Sequence, residues 1–262
     1  MFVETLLSVA VVVHPGGQRS SPEAGSQIRS SRASRAQPAY VFNEHFSALR
    51  KAPSAEAPII GRLRRGRLVA IVARRPNLTG TLYYRVAVTR RTRGWIDAGA
   101  VVSPLHPGDD LRLWELIQHS EDFPRLELCR IMQLHFRRSS MRPQALMTLG
   151  AEAERAAATL TSIAERRKIA ARPGVAHRPR GEVYLNFEWL DRYSRLGIRF
   201  RFDAVRSGYL YNGEAYRELL RTQPAHALSG EAIRRLRALE EASGAEPSPR
   251  SVEPLSPGRD PP

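Results

Sequence analysis

The residue types that most often carry out catalysis are scattered in this sequence. Its seven histidines show no HExxH-like or other ligand spacing, and its single cysteine, Cys129, excludes an internal disulfide and any multi-cysteine metal site. No recognisable motif for phosphate, metal, acyl or glycosyl chemistry is present. We therefore predict a non-enzymatic protein with no metal and no cofactor.

Contact chemistry is better represented, in the segment LYYRVAV at 82–88 and the segment RTRGWIDAGAVVS at 91–103. An alternating strand places its β-branched residues inside, so Val86 points to the core while Tyr83 and Arg85 point outward. In the second segment Ile96 takes the inner face, which sends Trp95 to the opposite side. Trp95 then fits two roles, a binding platform or a half-buried indole against a neighbouring strand. The candidate ligand-binding residues are Tyr83, Arg85, Arg93 and Trp95.

Short strands separated by turn residues must position these side chains. Apolar and polar residues alternate in RLVAIVARR at 67–75 and in LYYRVAV, and glycines and prolines lie between such segments. No window of this part of the chain has a convincing helical period. Several short strands at close spacing predict a small antiparallel β-barrel at 39–103.

The order of short motifs in 39–103 resembles that of a bacterial SH3 domain. The motifs that carry the resemblance are Leu49-Arg50, Pro53-Ser54, Ile60-Gly61, Leu63 to Gly66, Val69 to Val72 and Gly94-Trp95-Ile96. Tyr83 stands where such domains commonly have a tryptophan. The resemblance implies an SH3-like barrel that binds cell-wall peptides or other envelope polymers, or that acts as a docking unit.

From 109 to 242 the apolar period changes from two towards 3.6, which predicts an α-helical region. Asp109 or Asp110 is expected to cap a first helix, and Pro124 to end or reset it. A second helix is predicted at about 125–136, and a long helix after the capping candidates Ser139 and Ser140. The inner positions predicted for these three helices are Leu111, Trp114 and Ile117, then Leu128, Cys129, Met132 and Phe136, then Ala145, Leu146, Leu149, Ala153, Ala156, Leu160 and Ile163.

The later part of this region contains a predicted loop at 172–181, a helix at 182–194 and a β-hairpin. The segment IRFRFDAVRSGYLY at 198–211 alternates cleanly, and Gly208 is expected to supply its turn. Ile198, Phe200 and Phe202 share one face of this hairpin.

An internal similarity relates the segment that starts at Glu127 to the segment that starts at Glu214. Both have a helix, turn and helix plan, which resembles a tetratricopeptide-like unit. The aligned pairs are Arg130 with Arg217, Met132 with Leu219, Ala145 with Ala232, and Leu149 with Leu236. The prediction is helical-pair packing that offers a platform to a protein partner.

Nearly all of the positive charge is arginine. The formal net charge is +15, and Lys51 and Lys168 are the only lysines. Clustered guanidinium groups attract phosphates and acidic polymers, which favours a polyanionic ligand. A base composition that favours arginine codons would produce the same excess without any ligand, so both explanations stay open.

The two ends of the chain are predicted to lie outside the folded body. The apolar segment TLLSVAVVV at 5–13 is too short to span a bilayer but has the length of a signal-peptide core. Residues 1–38 are therefore interpreted as a possible signal segment and disordered linker. Residues 243–262 form a Pro-rich tail predicted to be disordered.

These observations predict an α+β multidomain protein, with a small SH3-like barrel followed by an α-helical region that contains one β-hairpin. The function they favour is a non-enzymatic binding or scaffold protein of the bacterial cell envelope or periplasm. Its SH3-like module would bind a cell-wall polymer or peptide, and its helical region a protein partner. The alternative is a cytoplasmic, arginine-rich protein that binds nucleic acid.

Overall fold

A computed structural model of the 262-residue chain describes residues 36–170, 187–203 and 207–242. The first of these ranges begins with seven strands of one antiparallel sheet. They are β1 (Gln37–Val41), β2 (Ala48–Arg50), β3 (Ile59–Arg62), β4 (Leu68–Pro76), β5 (Leu82–Ala87), β6 (Arg93–Asp97) and β7 (Val101–Val102).

The sheet is open, which corrects the prediction of a closed barrel. Its strand order is β3-β2-β6-β5-β4-β1-β7, so β3 and β7 are its edges. Strand β7 has two residues and pairs with β1 alone. Its Val102 is fully buried among the helices, and so is Phe42, which directly follows β1. Helices therefore cover this end of the sheet, and β7 has no pairing with β3 that would close it.

One face of the sheet carries its own apolar core, and strand alternation explains which residues lie there. Val86 and Ile96 are completely buried, as their parity predicts. The buried members of this cluster are Ala39, Val41, Leu49, Val69, Ile71, Val86, Ile96, Ala100 and Val101.

In the part of the chain that the structure describes, six helices and a hairpin follow the sheet. The helices are α1 (Asp109–Gln118), α2 (Asp122–His135), α3 (Arg142–Ala170), α4 (Phe187–Arg195), α5 (Glu214–Thr222) and α6 (Ser229–Ala242). The hairpin pairs β8 (Phe200–Asp203) with β9 (Gly208–Tyr211). The predicted turn glycine, Gly208, is instead the first residue of β9 and pairs with Asp203.

The first helix differs from its predicted form at both its cap and its inner face. Its N-cap residue is Gly108, in the left-handed conformation with φ of 83°, and Asp109 is the first helical residue. The buried stripe is Asp109, Leu113 and Ile117, at a spacing of four. Leu111, predicted inside, is 55% exposed. The prediction was correct for Ile117, which is fully buried, and for Trp114, which packs partly buried against the core, and wrong for Leu111.

Asp109 is buried because it ties the end of the sheet to the first helix. Its carboxylate accepts hydrogen bonds from the backbone N–H of Ser103 at 2.8 Å and from Nη1 of Arg112 at 2.7 Å. These bonds satisfy the buried carboxylate, which would otherwise be costly to desolvate.

Pro124 does not end the first helix. Helix α2 begins at Asp122, so Pro124 lies in its first turn. A proline is tolerated there because the N–H that it lacks has no acceptor within the helix.

The helices α2 and α3 are the best-predicted part of the chain. All four inner positions predicted for α2 are buried, including Cys129 with no exposed surface. In α3, Ala145, Leu146 and Leu160 are almost completely buried, and Ile163 packs partly exposed against the same core. The second helical pair, α5 and α6, buries Leu219 and Ala232 in this core as well. The apolar positions related by the internal similarity therefore belong to one core.

The sheet and the helices also meet through polar side chains. The ring of Tyr40 stacks on that of His135, with centroids 3.6 Å apart and planes inclined by 13°. Nη1 of Arg65 lies 2.8 Å from a carboxylate oxygen of Glu127 in α2, and its Nε donates to the carbonyl of Phe42. The connection between the two parts is anchored at its ends by the buried Ser103 and Asp109, and we call residues 103–109 the joint.

Several predictions fall outside the described residues. They are the signal segment and linker up to residue 35, the loop at 172–181, the first part of the helix at 182–194 and the tail at 243–262. Across the ranges that are described, no helix combines the length and the apolar character needed to cross a membrane.

Candidate binding site on the sheet

Strand register brings the four predicted site residues to one face of the sheet. Arg85 in β5 pairs directly with Trp95 in β6. In the same register Tyr83 faces Asp97, and Arg93 faces Ala87. Residues two apart in a strand share a face, so Tyr83, Arg85, Arg93 and Trp95 all lie on the face opposite the apolar core of the sheet. We call this surface the outer face.

Tyr83 has the predicted parity but not the predicted exposure. Only 4% of its surface is accessible, so it is a packed residue and not an open contact. Burial raises the pKa of its phenol, Asp97 raises it further, and Arg50 acts in the opposite direction. Two charged side chains therefore lie near its ring, and the outer face is partly covered at this point.

Arg50 is the neighbour that the sequence argument missed. It is the last residue of β2 and pairs with Trp95 of β6. Its Nη1 donates to the carbonyl of Ala57 at 2.8 Å, which fixes the loop between β2 and β3 against the sheet. The Leu-Arg motif in the sequence could have identified Arg50, because this motif marks the end of β2.

The Gly-Trp-Ile motif performs three different tasks. A Cβ on Gly94 would lie 2.7 Å from Cγ of Leu49 and 2.9 Å from the carbonyl oxygen of Arg50. Gly94 therefore allows β2 to approach β6 closely, and Ile96 fills the core. Trp95 is half-buried on the outer face, while its neighbours Arg85 and Arg93 are exposed. Trp95 thus has both a packing role and an accessible edge.

The sheet region is strongly cationic, and most of its cations have no counter-ion among the residues that the structure describes. Residues 36–103 contain three acidic side chains, Glu44, Glu56 and Asp97. Their basic side chains are Arg50, Lys51, Arg62, Arg64, Arg65, Arg67, Arg74, Arg75, Arg85, Arg90, Arg91 and Arg93. Among the described residues, Arg65 alone of these twelve pairs with a carboxylate.

In the helical region, two arginines form ion pairs between helices. Arg142 and Arg125 are largely buried and pair with Glu218 and Glu152, respectively. These arginines are structural partners between helices, whereas in the sheet region the arginines other than Arg50 and Arg65 are exposed. Exposed, unpaired guanidinium groups beside an indole form a surface suited to an anionic ligand.

The joint between sheet and helices contains a serine, a histidine and an aspartate that do not form a catalytic triad. Nδ1 of His106 lies 3.5 Å from Asp109. However, Nε2 of His106 contacts the side-chain oxygen of Gln37 at 2.8 Å. The hydroxyl of Ser103 donates to the carbonyl of Pro38 and is buried. Nothing in this geometry lets His106 take a proton from Ser103, so the group stabilises the joint.

The potential metal ligands and the single cysteine are the remaining candidates for chemistry. In the described ranges no three His, Cys, Asp or Glu side chains come together as a metal site. Burial strongly raises the pKa of the Cys129 thiol, which suppresses the reactive thiolate.

We expect native Cys129 to resist alkylation by iodoacetamide at about pH 8, because its thiol is both buried and protonated. The same protein in denaturant should be alkylated at the rate of a free thiol. Mass spectrometry of the intact chain measures both. Rapid alkylation of the folded protein would contradict the buried position.

Comparison with protein-family models, curated proteins and solved structures finds no match to this chain.

Proposed function

We propose that this chain is a non-catalytic binding protein of the bacterial cell envelope. In this proposal the outer face of the sheet binds an anionic cell-wall polymer or peptide, and the helical region carries a protein partner. The resemblance to bacterial SH3 domains supports the choice of ligand class. The observation that carries the proposal is the group of unpaired arginines around Trp95.

The chemistry of the outer face fits a wall ligand. Arg85 and Arg93 present planar guanidinium groups that can each bind a carboxylate or phosphate through two hydrogen bonds. The accessible edge of Trp95 offers apolar surface to a sugar ring or to a peptide side chain. Arg50, which is fixed to the carbonyl of Ala57, and the buried Tyr83 lie beside these groups on the same face.

The alternative, binding of nucleic acid, rests on a different part of the same cationic surface. Arg74 and Arg75 lie at the end of β4, and Arg90 and Arg91 lie in the turn between β5 and β6. All four are exposed. Such arginines could follow a phosphate backbone, whose binding weakens steeply with salt because counter-ions are released.

Retention of the protein on purified cell-wall sacculi tests the proposal. We expect the wild type to sediment with sacculi at ~0.15 M salt, near physiological ionic strength. The double variant Arg85→Ser, Arg93→Ser should bind at least roughly tenfold more weakly, because a hydrogen bond to a charged group is worth about 1.5 kcal/mol. Trp95→Ala should weaken binding as well.

The matched control is Arg237→Ser, which removes an exposed arginine from α6, far along the chain from the sheet. It should leave retention unchanged. Failure of the wild type to sediment would overturn the proposal. Binding to duplex DNA or RNA that falls steeply between 50 and 200 mM salt, on the order expected for several phosphate contacts, would favour the alternative.

A further inference from the structure

A groove runs between the sheet and α2, on a different surface from the outer face. It consists of two adjoining cavities of about 620 and 330 Å³. Leu134 and His135 line both cavities and so join them. The larger cavity is bounded by Tyr40 and by the connection 104–108, and the smaller one by the end of α4. We call this surface the α2 groove.

The middle of the α2 groove is apolar and accessible. Leu134 is 40% exposed and Leu105 is 62% exposed, although both lie in a concave surface where apolar side chains are usually covered. Tyr40 and His135, stacked on each other, form a flat wall beside them. Burial, together with Arg137 and Arg130, lowers the pKa of His135, so this wall is uncharged at neutral pH.

The charge of the α2 groove is positive at its ends. Arg137 and Arg138 lie at the larger cavity, are exposed and have no carboxylate partner within the described residues. At the smaller cavity, Arg130 donates to the side-chain oxygen of Gln133 and likewise has no carboxylate partner there. The guanidinium groups of Arg137 and Arg138 are therefore available to an anionic ligand, whereas that of Arg130 is partly buried between Gln133 and Gly197 and adds positive charge to this end.

Both acidic residues of the groove make contacts within the protein. The carboxylate of Asp110 accepts hydrogen bonds from the hydroxyl of Ser139 at 2.8 Å and from the backbone N–H of Leu111 at 3.0 Å. Glu127 pairs with Arg65 at 2.8 Å. Glu127 is thus compensated by Arg65, whereas Asp110 keeps its negative charge in the larger cavity, where two guanidinium groups, those of Arg137 and Arg138, outnumber it.

The length of the groove fits a short peptide. From Glu127 to His135 helix α2 rises by roughly 12 Å, and the connection up to Ser139 extends the surface further. An extended peptide covers this distance with about four residues. Cations at both ends and leucines between them complement an apolar side chain flanked by carboxylates.

We propose that the α2 groove binds an acidic peptide segment of a protein partner, with aliphatic residues in its centre and carboxylates on both sides. This inference rests on the proposed role of the helical region as a partner platform. It uses other residues than the outer face does, so either site can fail while the other holds.

Fluorescence anisotropy of a labelled probe tests this inference with the full chain. The probe is the peptide Glu-Glu-Leu-Leu-Glu-Glu carrying fluorescein. Two control peptides replace the leucines by serine or the glutamates by lysine. We expect saturable binding of the probe and at least tenfold weaker binding of both controls. Equal binding of the serine peptide, or no binding of the probe, would overturn the proposal.

Variants then locate the binding. Arg138→Glu and Leu134→Ser change exposed groove residues and should each weaken binding of the probe at least tenfold. Arg237→Glu carries the same charge change outside the groove and should have little effect. An equal loss with Arg237→Glu would show non-specific charge attraction and overturn the assignment. A melting temperature close to that of the wild type confirms that each variant is folded.

The two proposals are separated by exchanging their readouts. The groove variants should keep wild-type retention on sacculi, and the double variant Arg85→Ser, Arg93→Ser should keep wild-type affinity for the peptide probe. If the wild type is retained on sacculi but does not bind the probe, the α2 groove is refuted and the outer face is not. If the wild type binds the probe but is not retained on sacculi, the function proposed for the outer face is refuted and the α2 groove is not.

Discussion

Replacing Glu218 with alanine should lower the free energy of unfolding by about 3–5 kcal/mol, the cost of leaving a buried charge without its partner. Glu218 of α5 pairs with Arg142 of α3, whose side chain is only 6% exposed. Its second oxygen accepts a hydrogen bond from the amide of Gln133 in α2 at 2.7 Å. One carboxylate thus connects three helices, and its removal affects all three contacts.

Urea unfolding followed by circular dichroism measures this effect. The matched control is Asp191→Ala, which removes an ion pair with Arg195 at the surface of α4 and should cost ~0.5 kcal/mol or less. Replacing Arg142 with methionine in the Glu218→Ala background removes the unpaired charge and should recover much of the lost stability. If Glu218→Ala were as mild as the control, the three-helix connection would not contribute as described.

The substitution Gly150→Ala should also destabilise the fold, by about 1–3 kcal/mol through overpacking. A Cβ at this position of α3 would lie 2.3 Å from ring atoms of Tyr216. Tyr216 has no exposed surface and its hydroxyl donates to Glu154, so the ring has little room to retreat.

Gly230→Ala is the natural control, because the same change in α6 places the new Cβ no closer than 3.8 Å to another group. There alanine should be neutral or stabilising by about 0.5–1 kcal/mol, since it restricts the unfolded chain. The melting temperatures of the two variants should therefore shift in opposite directions, or the decrease should be clearly larger for Gly150→Ala. A Gly150→Ala variant as stable as the wild type would show that Tyr216 can move aside.

Strand parity predicted the sides of the sheet but not the coverage of each side. Val86 and Ile96 lie in the core because alternation is a property of the single strand. Tyr83 was assigned to the outer face correctly, yet it is packed there beside charged neighbours. Which side chains cover a strand depends on the pairing of β2 with β6, and that pairing is a long-range contact.

Helical periodicity likewise predicted α2 and α3 well and α1 poorly. The inner positions of α2, such as Met132, are apolar and repeat clearly. In α1 the buried stripe contains Asp109, whose burial depends on the backbone of Ser103 and on Arg112. The apolar spacing counted from Leu111 includes neither Asp109 nor Leu113, so it found only part of this stripe. The same dependence on distant partners hid the α2 groove, whose walls come from separate parts of the sequence.

The burial of Phe42 and Val102 among the helices has a consequence for how the two halves can be handled. A fragment cut between 103 and 109 would present these two side chains to water and would lose the Asp109 anchor as well. The strands therefore do not form a unit that recombination could move into another protein without the helices. We expect the gene segments for the sheet and for the helices to be inherited together.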